Sequence, residues 1–550
     1  MTRAAAYVRG LLPSPSDYRD TRRTWRGDLV GGVTVGVVAL PLALGFGVSS
    51  GVSAAAGLVT AIVAGVLAAV FGGSNVQVSG PTGAMAVVLL PIAAEHGIGA
   101  IATVSVLAGV IVLIAGALRL GRSVSFIPWP VIEGFTLGIA IIIFLQQVPS
   151  LTAPHLDPTD HSANALVAAI QALTSADWIY LLWAAGAALV VALCMIVAQR
   201  IHQAIPGSLV GIVLVTVLVA IVPTPLAEIG ALPSSLPAPT LSFLSPDLMV
   251  GLLPAALTVA ALAAIESLLS IRVAASLDDT GPYDADRELF GQGIASIGSG
   301  IFGGMPATGA IARTAVNVRS GGRTRLASIT HAGVLLLIVL VISKPVGMIP
   351  LAGLAGVLML TAWRMVQRAT MRSILRSTRA DAAAFVLTAL VTVAFDLIIA
   401  VVIGIAFAGI FAIRSLSRGA GVHRELLAGE PIKGDDRIAV VRFDGPLIFA
   451  AADRVFAEAT KVQDVGVVIL RMSRIEHVDA SGAHILSDIV NALERRGITV
   501  LIKGIQPAHE DLFRTVGVLA SLRHHKHLFD DLDLAVAHAR SHVRRAADQR

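Results

Sequence analysis

Long apolar runs, broken at intervals by short clusters of arginine, dominate the first three quarters of the chain. Lys and Arg are absent from residues 27–118, 123–199 and 201–271, and these windows are bordered by Arg26, Arg119, Arg122, Arg200 and Arg272. If basic clusters stay in the cytoplasm, each window crosses a membrane an even number of times. At roughly 20 apolar residues per crossing, the first window suits four passes and the others two each. Segments 288–317, 326–362 and 382–413 can each hold a further pair, separated by basic turns at Arg319–Arg325 and Arg364–Arg379. The pattern predicts about fourteen spans with both termini inside. The polar stretch Leu151–Asp177, with Asp157 and Asp160, and the Pro-rich stretch Pro223–Asp247 then become external loops.

Two of these passes are too broken to be ordinary spanning helices. One reads Gln77-Val-Ser-Gly80-Pro81-Thr82-Gly83-Ala84, and the other, about 225 residues later, reads Gly303-Gly304-Met305-Pro306-Ala307-Thr308-Gly309-Ala310. Proline suits the first turn of a helix but cannot continue one, so each phrase predicts extended backbone becoming helix at Pro81 or just after Pro306. At the same spacing, Val33–Pro41 is weakly echoed by Leu257–Glu266. Paired interrupted segments mark an inverted-repeat transporter whose substrate lies where two half-helices meet. A helix N-terminus offers unsatisfied N–H groups and partial positive charge, so two aimed at one point can hold an anion. Gly83, Ala84, Gly309 and Ala310 carry little or no side chain and let an anion approach the backbone.

Composition supports the membrane reading. Of the 550 residues, 55% are hydrophobic and only 14% charged, with mean hydropathy +0.81; a soluble protein carries about 25% charged residues. Residues 421–550 hold 18 basic and 18 acidic side chains, which leaves 41 charges for the first 420 residues. The organisation expected is an N-terminal cytoplasmic extension over 1–26, a transmembrane domain over 27–414, a linker over 415–435 and a soluble domain over 436–550. The basic clusters are topological and form no stripe with interleaved aromatics, so no nucleic-acid partner is expected. Cys194 stands alone, which excludes a disulfide framework within one chain. In the tail, Ile438–Phe443, Val465–Met472 and Ile498–Ile502 are β-type runs, and helical patterns at Ser481–Arg496 and Pro507–Leu522 alternate with them, which predicts a small α/β sheet domain.

Glu266 is the only ionisable residue between Asp247 and Arg272. A charge within an apolar span is costly unless it is paired, hydrated or protonated, so Glu266 should face a cavity and serve as a proton-coupling group. Ser270, one turn on, shares its face. Arg313 follows the second half-helix start and adds positive potential, while Thr82 and Phe46 are candidates for the cavity lining. Gly32 and Gly36 are spaced for close helix contact. Gly298-Ser-Gly300-Ile-Phe-Gly303 mimics a dinucleotide fingerprint but lacks a preceding strand. His524, His525 and His527, without nearby Cys or a matched carboxylate set, read as a solvated helix end, so no metal is expected. No nucleophile with a base, metal-ligand cluster or phosphate loop appears, and the chain is not read as an enzyme.

The phrases Gly32-Val-Thr-Val-Gly-Val-Val-Ala-Leu-Pro41-Leu-Ala-Leu-Gly-Phe46, Gly80-Pro-Thr-Gly-Ala84, Pro128-Trp-Pro-Val-Ile-Glu-Gly134-Phe, Glu288-Leu-Phe-Gly-Gln-Gly293 and Gly309-Ala-Ile-Ala-Arg-Thr-Ala-Val-Asn317 together resemble the SulP, or sulfate permease, family of anion transporters with a C-terminal STAS domain. The resemblance implies a polytopic α-helical membrane protein with fourteen segments in two inverted repeats of seven, a core domain moving against a gate domain, and a homodimer in the inner membrane with a cytoplasmic STAS domain. It places the anion between the half-helix N-termini, near Phe46, Thr82, Gly309, Ala310 and Arg313.

Family members often carry Gln after the Leu-Pro proline where this chain has Leu42, which resembles the bicarbonate and dicarboxylate branches. Sodium-coupled bicarbonate members carry Asp at the position of Glu266 and Thr at those of Ser270 and Ile311. The residues here therefore favour H+ over Na+ as the coupling ion. The expected activity is proton-coupled symport of a small anion, whether sulfate, bicarbonate or a dicarboxylate. Sodium-coupled bicarbonate symport, anion exchange, a nucleobase permease and a membrane-anchored STAS regulator stand as alternatives. In the tail, Val478-Asp479-Ala480-Ser481-Gly482 resembles the Asp-Ser-Ser-Gly turn of STAS domains. Ala480 replaces the residue commonly phosphorylated there, and Ser481 is left to cap a helix.

Overall fold

The computed structural model describes residues 7, 9–121, 128–153, 164–201, 205–241, 245–277, 281–394, 397–427 and 432–548. Arg122, Asp157 and Asp160 lie outside them. The chain divides into two compact units, residues 1–405 and 406–550.

The first unit is helical. Its elements run α1 (Thr21–Ser49), α2 (Ala54–Phe71), β1 (Ser79–Gly80), α3 (Gly83–His96), α4 (Gly99–Ala117), α5 (Trp129–Thr152), α6 (Ala165–Thr174), α7 (Trp178–Ile201), α8 (Gly207–Ile221), α9 (Pro246–Gly251), α10 (Leu253–Leu277), α11 (Ala285–Ile301), β2 (Thr308–Gly309), α12 (Ile311–Arg319), α13 (Arg325–Gly347), α14 (Leu351–Met365), α15 (Arg368–Leu375) and α16 (Arg379–Ala394), followed by α17 (Leu397–Gly419). Among the described residues, seven helices are long and apolar enough to cross a membrane: α1, α2, α4, α5, α7, α10 and α13. Of the others that fall in expected spans, α3, α8, α11, α12, α14 and α16 have fewer than 18 residues each, and α17 offers a shorter apolar stretch, Ile403–Arg414. Length and composition thus assign seven spans where fourteen are expected. On α7 and α8, Leu182 and Ile221 are each 73% exposed, an apolar surface suited to lipid.

Small residues set the helix spacing, as the sequence predicts for Gly32 and Gly36. A Cβ on Gly32 would lie 2.5 Å from the Ala327 carbonyl of α13, and one on Gly36 would lie 2.9 Å from Val334. α4 and α11 approach through glycine on both sides, since a Cβ on Gly109 would meet the Gly293 carbonyl at 2.8 Å, and one on Gly293 the Gly109 carbonyl at 2.6 Å.

Buried charges fasten the helix ends. The fully buried Asp28 carboxylate accepts from Arg323 N (2.6 Å), Thr324 N (2.9 Å), Thr324 Oγ1 (2.7 Å) and Thr24 Oγ1 (2.7 Å), so a residue of α1 caps the start of α13. Arg325 was expected in a basic surface turn. It is buried instead, and its Nη1 donates to the Ala69 and Val70 carbonyls at the C-terminus of α2. The N-terminal extension ends sooner than residue 26, because α1 begins at Thr21. Asp17 just before it forms a two-pronged pair with Arg287 of α11 at 3.0 and 2.6 Å. Burial pushes the Asp17 carboxyl up, but the Arg287 and Ser14 hydrogen bonds outweigh it and hold it at about 2.

The second unit carries a five-stranded sheet, ordered β3 (Gly421–Glu425), β4 (Ile438–Leu447), β5 (Val467–Val478), β6 (Thr499–Lys503) and β7 (Leu528–Phe529), with α18 (Ala452–Ala459), α19 (Ala480–Arg495), α20 (Pro507–Val516) and α21 (Leu532–Asp548). β3 pairs antiparallel with β4, and the other pairings are parallel, with Ile438 opposite Val467 and Val467 opposite Thr499. α18 to α20 cover one face through Val455, Leu486, Ile489 and Phe513, while α21 covers the other through Ala535, Ala539 and Val543.

Three expectations are corrected here. The stretch 415–435 is no plain linker, because it contains the end of α17 and the strand β3, so a cut at residue 435 would strip β3 from its partner. Ser481 does not cap α19. Asp479 does, accepting from Gly482 N at 2.7 Å with one carboxylate oxygen and from Phe449 N at 3.0 Å with the other, and Ser481 is exposed in the first turn. His527 is not part of a solvated helix end; it directly precedes β7 and is 6% exposed, while His524 is exposed.

Asp28→Ala should lower the melting temperature of the purified protein by several degrees, since the buried Thr324 N–H loses its acceptor at about 1–3 kcal/mol and the partly buried Arg323 N–H loses one too. An unchanged melting curve would show that water or another side chain takes over the cap.

Candidate functional site

The two broken phrases meet. Their extended residues pair antiparallel, Ser79 opposite Gly309 and Gly80 opposite Thr308, and Ala310 N donates to the Val78 carbonyl at 2.9 Å. Helix resumes at Gly83 and at Ile311, two residues after Pro81 and five after Pro306, later than proline alone suggests. The strand pairing holds the backbone extended until it has crossed its partner.

Both half-helices start without a side-chain cap. Thr82 occupies the N-cap position of α3, yet its hydroxyl makes no capping bond; at α12 the N-cap is Ala310, which has no side chain to offer. The first helical bonds are Ala86 N to Thr82 O and Thr314 N to Ala310 O. The N–H groups of Gly83 to Met85 and of Ile311 to Arg313 therefore have no acceptor within their helices. Gly309 and Ala310 play a different part from the N–H donors of an anion site, because their N–H groups are already committed to Ser267 Oγ (3.0 Å) and to Val78 O (2.9 Å).

The Thr82 hydroxyl is occupied by Glu266, whose Oε2 accepts from Thr82 Oγ1 at 2.8 Å and from Thr308 Oγ1 at 2.8 Å, with the two hydroxyls 3.1 Å apart. One carboxylate oxygen of α10 thus bridges both phrases. Arg313 is 2% exposed. Its Nη2 donates to the Pro81 carbonyl at 2.6 Å, and its Nη1 is buried with no hydrogen-bond partner among the described residues. Gly80 makes room for it, since a Cβ there would lie 2.6 Å from Nη1. Arg313 is thus an internal group beside the half-helix starts and not a surface one. Phe46 closes one side of the α3 start: a Cβ on Gly83 would lie 3.1 Å from Phe46 Cε1 and collide with Ile143. Ala84 is buried in the first turn of α3.

Ser270 sits away from the Glu266 carboxylate. Its Oγ lies 3.2 Å from Thr314 Oγ1, which in turn accepts from Val78 N at 3.1 Å, so Ser270 supports the crossing strands. Three residues escaped the sequence reading. Thr308 and Ser267 bind Glu266 and the Gly309 N–H. The buried Gln77 side chain, with neither terminal atom hydrogen-bonded among the described residues, occupies the space a Cβ on Gly309 would need. Thr308 had a signal, because Thr-Gly-Ala recurs at 82–84 and 308–310.

Two uncapped helix starts facing across a paired strand, with a buried guanidinium beside them, define a membrane transporter for anions. The sulfate permease family model matches residues 25–388 and the STAS domain model residues 431–535, and the chain belongs to the sulfate permease family. It is 34% identical over 517 residues to the putative sulfate transporter YvdB of Bacillus subtilis, covering 92% of this chain and 96% of that one. It is 32% identical over 510 residues to the bicarbonate transporter BicA of Synechocystis, covering 88% of each. The transmembrane domain of a cyanobacterial bicarbonate transporter BicA aligns with a TM-score of 0.58 at 31% identity, over 70% of this chain and 97% of that one. Murine Slc26a9, an anion transporter in its inward-facing state, shares the fold with a TM-score of 0.85 over 98% and 96% of the two chains at 18% identity.

If the half-helix donors are the main anchor, Ala310→Leu should abolish anion binding to purified protein by filling the start of α12. Arg313→Gln, which removes a donor bond worth about 1.5–3 kcal/mol, should weaken binding by roughly ten- to hundredfold and flatten its dependence on ionic strength. Wild-type binding by Ala310→Leu together with none by Arg313→Gln would make the arginine the anchor instead.

Proposed function

We propose that this protein is a proton-coupled symporter of a small oxyanion, of the sulfate, bicarbonate or dicarboxylate class, working as a homodimer in the plasma membrane with its STAS domain in the cytoplasm. The observation that carries the coupling is the placement of Glu266, one hydrogen bond from Thr82 at the start of α3. Each helix N-terminus contributes about +0.5 charge, and with Arg313 positive and Glu266 negative the site sums to roughly +1; a proton on Glu266 raises it to roughly +2. Anion and proton therefore each favour the other's binding, which is the linkage a symporter needs.

Protonation also changes hydrogen bonding. The ionised Oε2 accepts from both threonines; a proton placed on Oε2 itself turns that oxygen into a donor, which no longer holds both hydroxyls. Thr82 Oγ1 is then free to donate to an anion held at the first turn of α3. Proton binding at α10 is in this way transmitted to the substrate-facing end of a different helix.

Sodium coupling is the second reading, because Glu266, Thr82 and Thr308 present three oxygens 2.8–3.1 Å apart, a hard-cation donor set. Uptake of labelled sulfate, bicarbonate and fumarate into proteoliposomes under an imposed proton or sodium gradient separates the two. Under proton coupling, Glu266→Gln should lose gradient-driven accumulation while retaining downhill flux, because the amide keeps the shape but cannot titrate. Uphill uptake by that variant at the wild-type level would refute the role given to Glu266, and accumulation driven only by sodium would establish the second reading.

A further inference from the structure

The soluble unit contains a cluster that transport does not use. His538 and His542 lie one turn apart on one face of α21, and His527 approaches from the turn before β7. The Nε2 atoms of His538 and His542 are 3.2 Å apart, and one ring nitrogen from each of the three residues lies within 4.8 Å of the others. The rings of His527 and His542 stand edge to face with centroids 5.5 Å apart, and those of His527 and His538 are 5.7 Å apart.

We propose that His527, His538 and His542 form a binding site for a divalent transition metal of the zinc class, which ties α21 to the edge of the sheet. The geometry fits the ion. With Zn–N bonds of about 2.0–2.1 Å and tetrahedral angles, two ligating nitrogens stand about 3.3 Å apart, close to the separation of His538 and His542. The third nitrogen needs only a side-chain rotation, and the fourth position stays open to water.

An imidazole-to-imidazole hydrogen bond accounts for part of the cluster. It would satisfy His538 and His542 but would leave Nδ1 of His527, which is buried without a hydrogen-bond partner among the described residues. A metal ion gives all three rings a partner. Their electrostatics suit ligation as well, because a ligating imidazole must be neutral. Burial, then repulsion from His542, His538 and His524, pushes His527 down to about 4. Burial also lowers His538 and His542, with Arg545 adding to both.

The sequence hides the site because its members are 11 and 4 residues apart and the spacing has meaning only once α21 folds back over the sheet. An i, i+4 histidine pair on a helix is a ready bidentate clamp, and the turn before β7 supplies the third ligand.

The test uses the full-length protein in detergent, freed of any affinity tag and stripped with chelator. Titration with Zn2+ against a chromophoric competitor should show one ion per chain, and Co2+ in its place should give the visible absorption of a tetrahedral centre. His542→Gln and His538→Gln should each weaken binding by more than the ~10–100-fold that loss of an outer-shell partner costs. His484→Gln, on a different helix and outside the cluster, should bind as wild type. Because a histidine variant could disturb α21 itself, the melting transition of each is compared without metal: equal melting with lost binding supports ligation. Absence of stoichiometric binding by the wild type, or unchanged affinity in both variants, would overturn the proposal.

Discussion

The membrane unit depends on how it satisfies a backbone that leaves the helix inside apolar surroundings. There, each unpaired N–H or C=O costs several kcal/mol, so irregular chain persists only where protein groups meet it. Here hydroxyls, amides and one guanidinium do so. Asn317 Nδ2 donates to Val76 O at 2.8 Å, Ser328 Oγ to Gln77 O at 2.7 Å and Ser299 Oγ to Met305 O at 2.7 Å, while Met305 N donates to Thr60 Oγ1 at 2.8 Å. With β1 pairing to β2 and Arg313 meeting Pro81 O, the crossing residues are held from both sides. What remains unspent are the first-turn N–H groups of α3 and α12. An anion is their natural complement, and among the described residues no side chain takes them.

The same economy explains why Glu266 sits where it does. A carboxylate buried in a span is expensive unless paired, and its Oε2 is paired with the two threonine hydroxyls that would otherwise compete for the helix starts. By holding Thr82 away from its capping position, Glu266 keeps the α3 terminus open. In the proposed coupling, a proton on Glu266 acts on the same site by removing negative charge from beside the helix starts.

Much of this was legible in the sequence, for identifiable reasons. Pro81 and Pro306 announce broken helices, an isolated Glu266 stands out against 24 residues without another charge, and Thr82 lies inside the first phrase. What stayed hidden depends on register. Where each helix restarts is decided by strand pairing across 230 residues, from Ser79 to Gly309, and Pro81 and Pro306 lie in the extended chain after the preceding helices have ended at Phe71 and Ile301. Ser267 and Thr308 are small polar residues in apolar segments, where most such side chains bond their own helix, so their service to the other phrase becomes visible only in three dimensions. β3 went unread because a five-residue edge strand with a single paired neighbour needs no apolar alternation, and its burial pattern is mixed.

The two repeats are also unequal in their chemistry. The offset from Thr82 to Thr308 is 226 residues; applied backwards from Glu266 and Arg313 it lands on Leu40 and Val87, both apolar. The first repeat therefore contributes a helix start and a hydroxyl, and the second contributes the carboxylate, the guanidinium and the other helix start. Every charged side chain bonded directly to the crossing phrases, among the described residues, comes from one side of the pseudo-symmetry. An inverted repeat gives a transporter two opposite-facing states of similar energy, but a symmetric pair of carboxylates at one anion site would repel each other and the substrate. Confining the acid to one repeat and its hydroxyl partner to the other keeps a single carboxylate at the site, and the Thr82 to Glu266 hydrogen bond joins the two repeats there, the contact on which the proposed proton coupling rests.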